Sequence, residues 1–253
     1  MNRSIAILFA LLMTSLCLTS VGIAAEVGTL RYGLETARGG AAHLTLTESR
    51  GRDRRISVEL PWTTLQGLDR SAKVRAQGPV AFALVRDAGR IDCAGTSSKG
   101  SCRFTANADF AAFLSAQGYP RPSTRQSLDL VLVGVGRPLV GALAAAGYER
   151  PSLADLSSLA ALGVTPASMK ELAASGHRPE STGDLLAFAA LGITAEYIRS
   201  FERAGLPRLS SAQLIQCKAM NIRAEDLRQL GSGKMVSVTA DELIDWKVAG
   251  LLP

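Results

Sequence analysis

The chain has 253 residues, of which 47% are hydrophobic and 20% charged, with a formal net charge of +6. That length suffices for two small domains, and only two histidines argue against a histidine-built catalytic or metal centre. The charge is uneven: residues 26–121 hold 14 basic against 9 acidic side chains and residues 122–253 hold 13 of each, so any anion-binding tendency belongs to the N-terminal half.

Residues 1–25 read as a secretory signal peptide. Arg3 supplies the positive start, Ile5 to Leu18 the apolar core, and Ala24 and Ala25 the small-residue cleavage region. The other reading is an uncleaved anchor, because the apolar run is nearly long enough to span a bilayer. The short core ending in small residues favours cleavage.

Residues 26–106 read as an antiparallel β domain. Leu44–Thr47, Ile56–Leu60 and Val80–Val85 are short runs suited to half-buried strands. Asp87-Ala88-Gly89 is a turn into Arg90–Cys93, and Cys102–Thr105 returns. Gly39-Gly40 and Arg50 to Arg55 read as turns, and Leu65–Leu68 as a helical turn under Trp62. The expected product is a small sheet, a sandwich or a partial barrel. Cys93 and Cys102 flank a Gly/Ser/Lys loop, a placement that suits a hairpin disulfide in an oxidising compartment or else a pair of free thiols. Arg50, Arg52, Arg54 and Arg55 form a candidate anion contact, or a solvated hairpin tip.

Residues 107–253 carry a 29-residue repeat. Gly118, Gly147, Gly176 and Gly205 keep that spacing, as do Gly134, Gly163, Gly192, Asn221 and Gly250, and Ser123, Ser152, Ser181, Ser210 and Thr239. The serine series supplies helix N-caps, followed three residues on by Gln126, Asp155, Asp184, Gln213 and Glu242, the spacing of a capping box. The glycines end helices in the left-handed conformation, and Asn221 is the next best residue for that role. Leu130, Leu159, Phe188, Cys217 and Trp246 form one inward series. Val140, Met169, Ile198 and Leu227 form another, and Leu114, Leu143, Leu172, Phe201 and Leu230 a third. One helix pair cannot bury such a face, whereas stacked pairs can. The fold class is therefore α+β: the β domain followed by an all-α solenoid of five 29-residue helix-pair repeats. Gly231-Ser232-Gly233-Lys234 interrupts the pattern and marks a distorted terminal unit.

Chemistry is sparse. His177 occupies the loop position of Tyr119, Tyr148 and Leu206, and His43 stands alone. No zinc-binding His-Glu-x-x-His, paired cysteine ligands, nucleophile elbow or phosphate loop occurs. The expectation is no catalytic residue, no metal and no cofactor. Leu132-Val133-Gly134-Val135-Gly136 resembles a helix-hairpin-helix turn, which implies backbone donation to DNA phosphates. The second glycine becomes Thr165, Thr194 and Arg223 in later copies.

The copies Ala161-Leu162-Gly163-Val164-Thr165-Pro166 and Ala190-Leu191-Gly192-Ile193-Thr194-Ala195-Glu196-Tyr197-Ile198, with Phe82–Gly89 before them, resemble the extracytoplasmic tails of antirepressor-type membrane metallopeptidases and related stand-alone exported bacterial proteins. The chain lacks the zinc-binding helix and multi-span membrane region of that family, so the resemblance implies only the sensing or interaction module. The expectation is a periplasmic or secreted, non-enzymatic protein whose partner is another envelope protein, as an adaptor or sensor in envelope signalling. The membrane enters only through an uncleaved N-terminus. A DNA or polyanion binder of the helix-hairpin-helix kind is the second choice.

Overall fold

A computed structural model describes residues 29–48, 54–68, 78–206, 208–230 and 239–250. The signal-peptide segment, Arg50, Arg52 and the 231–234 interruption lie outside the described residues.

Among the described residues, seven strands make one antiparallel sheet: β1 Leu30–Thr36, β2 Ala42–Glu48, β3 Arg54–Leu60, β4 Leu65–Gln66, β5 Val80–Arg86, β6 Gly89–Gly95 and β7 Lys99–Ala106. Their spatial order is β3-β2-β1-β7-β6-β5-β4. Strands β3 and β4 are therefore opposite edges of the sheet, although only residues 61–64 separate them in sequence. Five Cα–Cα steps reach at most about 19 Å, whereas six inter-strand spacings in a flat sheet cover about 29 Å. The sheet must curl, bringing its edges toward each other. Alternation then sends Leu30, Tyr32, Leu34, Leu44, Leu46, Phe82, Leu84 and Ile91 into the core.

Three local expectations change. Strand β1 was not anticipated, although Leu30, Tyr32 and Leu34 alternate with Arg31, Gly33 and Glu35 as in a half-buried strand. Arg54 and Arg55 begin β3 rather than sit in a turn, opposite Glu48 and Thr47. The turn near Trp62 is a single 3-10 turn over Trp62–Thr64, and Leu65 pairs instead with Leu84. Trp62 donates its indole N–H to the Gly40 carbonyl at 2.9 Å, and buried Leu65 gains more from the sheet than from another helical turn.

The described helices are α1 Ala108–Ala116, α2 Thr124–Val133, α3 Arg137–Ala145, α4 Leu153–Ala161, α5 Pro166–Ala174, α6 Thr182–Leu191, α7 Ala195–Arg203, α8 Ser211–Ala219, α9 Ala224–Leu230 and α10 Ala240–Val248. Each of Ser123, Ser152, Ser181, Ser210 and Thr239 accepts a hydrogen bond from the backbone N–H three residues on. The C-terminal caps are equally regular. Gly118, Gly134, Gly147, Gly163, Gly176, Gly192, Gly205 and Gly250 all have positive φ, and so does Asn221, at 55°. The residue after the cap bonds back to the carbonyl five positions earlier, as in Tyr148 to Leu143, Val164 to Leu159, Ile193 to Phe188 and Ile222 to Cys217. This is the Schellman arrangement. Its acceptor residues belong to the inward series, so the bond that ends each helix also fixes where the chain leaves the core.

The arrangement is helical and repeat-like. Helix α2 packs on α4, α4 on α6, α6 on α8 and α8 on α10, while α3 packs on α5 and α5 on α7. Leu156, Leu185, Leu214 and Leu243 form a further buried 29-residue series that sequence reading passed over, with Ser127 in its first place. Helix α2 also packs on β5, β6 and β7, and one hydrophobic cluster runs from the sheet through the helices.

Candidate docking surface

The arginines singled out in the sequence do not form a cluster in the described residues. Arg54 donates to both carboxylate oxygens of Asp129, at 3.0 and 3.1 Å, joining β3 to α2. Arg55 is exposed on the sheet's outer face. A second cross-link joins Arg125 on α2 to Glu48 on β2 at 2.9 Å, with the Glu48 side chain almost wholly buried. The positive charge of the β region is thus partly spent on holding the helices.

Cys93 and Cys102 stand opposite one another in the β6–β7 ladder and are disulfide-bonded. Cys217 is a buried free thiol. Burial pushes its pKa up to about 11, and Asp241 adds to the shift. At neutral pH it is a protonated core residue rather than a nucleophile. His177 contacts the Leu209 carbonyl across the next loop through its Nε2, a packing role. Among the described residues no group of three or more histidine, cysteine, aspartate or glutamate side chains is placed to hold a metal. A trough of about 1310 Å³ lies against β5–β7. Its one lining carboxylate, Asp92, is bound by Arg90 at 2.7 Å.

The turn between α2 and α3, with its helix-hairpin-helix look, is occupied from within the chain. Arg86, at the end of β5, donates from one guanidinium nitrogen to the carbonyls of Val131 and Leu132, both at 2.9 Å. These lie in the last turn of α2, where the helix dipole favours a cation. Asp87 accepts the Arg137 backbone N–H at 2.6 Å, taking the first free donor of α3. Thr165 and Thr194 cap α5 and α7 with their own hydroxyls, but Gly136 has no side chain to cap α3. Asp87 supplies the missing acceptor. A Cβ on Gly136 would stand 3.0 Å from Asp87 Oδ2. The second glycine of the motif therefore makes room for the β5–β6 turn. The Arg137 side chain is engaged as well, 4.9 Å over the Phe113 ring. The first backbone N–H of α3, which the motif would offer to a phosphate, and the Arg137 cation beside it both have internal partners.

Sequence reading missed Arg86 and Asp87. A signal was present: a glycine stood where the next two copies carry a capping threonine, Thr165 and Thr194, which implies a cap from elsewhere.

Two cavities lie between successive helix turns. One, of about 500 Å³, is walled by the α2–α3 and α4–α5 turns with Arg86 and Asp87 at its side. The other, of about 260 Å³, is walled by the α4–α5 and α6–α7 turns. No family model matches this chain, and no curated protein or solved structure is similar to it. Among the described residues, no single helix is long and apolar enough to cross a membrane.

Proposed function

We propose that this chain is an exported, non-enzymatic protein-interaction module, in which five 29-residue helix-pair units form a solenoid that docks a partner in the cell envelope. The observation that carries the reading is the groove between successive helix turns: the chain's own Arg86 and Asp87 line the first, and among the described residues the next is lined without an arginine, by Leu162, Gly163 and Glu171 among others. Stacked helix pairs offer an extended face with room for a standard interface of roughly 800 Å² per partner. Export is supported by the Cys93–Cys102 disulfide and by the apolar N-terminal segment. An adaptor or sensor role follows from the resemblance to the extracytoplasmic tails of antirepressor-type peptidases.

The polyanion reading is disfavoured by the partners of Arg54, Arg137 and the α3 N-terminus. The test is cross-linking of residues 26–253, disulfide intact, in a native envelope extract. Capture of one protein that survives moderate salt supports docking. Capture of nothing but salt-sensitive nucleic acid or polysaccharide overturns it.

A further inference from the structure

Arginines cover the left-handed cap glycines near the sheet and leave those farther along bare. A Cβ on Gly118 would stand 2.6 Å from the Arg150 guanidinium, one on Gly134 2.6 Å from that of Arg86, and one on Gly147 3.4 Å from that of Arg178. At Gly163, Gly176 and Gly192 no described atom lies within 4 Å of that position. The preference has a physical basis. At Gly134 the guanidinium of Arg86 reaches the last carbonyls of the helix, at the negative end of its dipole, while Arg150 and Arg178 also lie against the Tyr119 and Tyr148 rings, 5.8 and 5.0 Å from the centroids.

The two inter-turn cavities are related by the repeat. Gly134 and Gly163 wall the first, and Gly163 and Gly192, each 29 residues on, wall the second. Among the described residues, an arginine borders the first and none borders the second. At the lip of the second, Leu162 is 44% exposed, although it is a large hydrophobic side chain. Glu171 also lines it and has no ion-pair partner among the described residues.

Resting on the docking reading, we propose that the groove between the α4–α5 and α6–α7 turns binds an arginine-bearing peptide segment of a partner protein. The guanidinium lies over Gly163 toward the carbonyls of Ala160 and Ala161, the repeat equivalents of Val131 and Leu132. Glu171 is its counter-ion, and a neighbouring apolar side chain covers Leu162. The chain's own pair, Arg86-Asp87, is zwitterionic, but the second groove reads only the cation. Pro166 replaces Arg137 and has no N–H to offer a carboxylate.

The probe is acetyl-Ala-Leu-Val-Arg-Ala-amide, titrated into isotope-labelled residues 26–253 and followed by amide shifts. The expected result is saturable shifts at Leu162, Gly163, Val164 and Gly192. Binding should weaken roughly tenfold when the peptide arginine is replaced by glutamine, and severalfold with lysine. Glu171→Lys should weaken binding by a similar factor with an unchanged melting midpoint, because Glu171 is exposed and unpaired. No shift at Gly163 and Gly192 at several times millimolar peptide, equal binding of the glutamine peptide, or indifference to Glu171→Lys would each overturn the assignment. The Glu171→Lys chain is also put through the envelope cross-linking. Capture that survives the substitution overturns this groove and leaves docking standing. Failure of the unsubstituted chain to capture any protein overturns docking itself.

Discussion

Gly134 and Gly163 occupy the same place in successive repeats, at φ 84° and 78°, but only Gly134 lies under an arginine. Alanine at either position incurs the left-handed strain of about 1–2 kcal/mol. At Gly134 it also displaces Arg86 from two carbonyls, and hydrogen bonds to a charged group contribute roughly 1.5–3 kcal/mol. Urea denaturation of the two variants should therefore show Gly134→Ala less stable than Gly163→Ala by more than about 1 kcal/mol; equal losses would mean Arg86 contributes nothing. Gly136 and Asp87 make a coupled pair. Gly136→Thr alone should destabilise, because its Cβ would press on the Asp87 carboxylate. Asp87→Ala alone should cost about 1 kcal/mol, the usual loss for a missing cap. Together the two should cost less than their sum, since the threonine then caps α3 as Thr165 caps α5. A double-mutant cycle reads the coupling, expected at roughly 0.5–3 kcal/mol.

The 29-residue spacing works at the element scale because most helices carry their own start and stop, α3 with its cap from Asp87 being the exception. The helices span seven to ten residues, too short to hold together alone in water. Caps and the buried inward series must therefore both contribute. The last helix gives a pH test. Glu242 accepts the Thr239 backbone N–H at 2.8 Å and the Thr239 hydroxyl at 2.9 Å. These bonds hold its carboxyl below the usual value. A depressed folded-state pKa means the contribution is present above the unfolded value and disappears as pH falls through the folded one. Wild-type α10 should therefore fray between about pH 5 and 3, while Glu242→Gln, already without the charge, should show a flatter profile. Amide exchange across Ala240–Val248 reads this local change; parallel profiles would show that the box is not formed in solution.

At the scale of the whole molecule, the sheet and the helices share one hydrophobic cluster and are cross-linked at the junction, so they should unfold together. The Arg86 and Asp87 bonds, the Arg54–Asp129 and Arg125–Glu48 pairs and the packing of α2 on three strands all cross the junction. Residues 107–253 made alone would expose the sheet-facing side of α2 and leave α3 without its cap. The expected outcome is lower helicity and a lower melting temperature than the same residues show within 26–253, measured by circular dichroism. A fragment ending at Gly205 keeps the junction and should retain the near-ultraviolet signal of Trp62 and Tyr32. Equal stability of the isolated helical fragment would show that the two parts fold independently.

Most helix boundaries and caps are legible in the sequence, because capping is chemistry between neighbours; the start of α3 is not, because its cap comes from Asp87. A serine bonds three residues ahead, a glycine alone turns left-handed without strain, and even Asn221 follows from backbone sterics. The inward series was readable because the period repeats each core position. The hairpin between Cys93 and Cys102 made a disulfide one of two readings, the other being free thiols, and the cross-strand placement of the two cysteines decided it. Tertiary structure decided the rest, and in each case the reason is distance along the chain. The curl of the sheet comes from a four-residue link between its opposite edges. The alternation of Leu30, Tyr32 and Leu34 with Arg31, Gly33 and Glu35 suits a strand, but its place between β2 and β7 is set only by pairing with both. Arg54 and Arg86 are committed to helix α2 by partners some 45 to 75 residues away. Gly136 is explained by Asp87, 49 positions earlier in the chain, since the space a glycine leaves acquires meaning only from what folds into it.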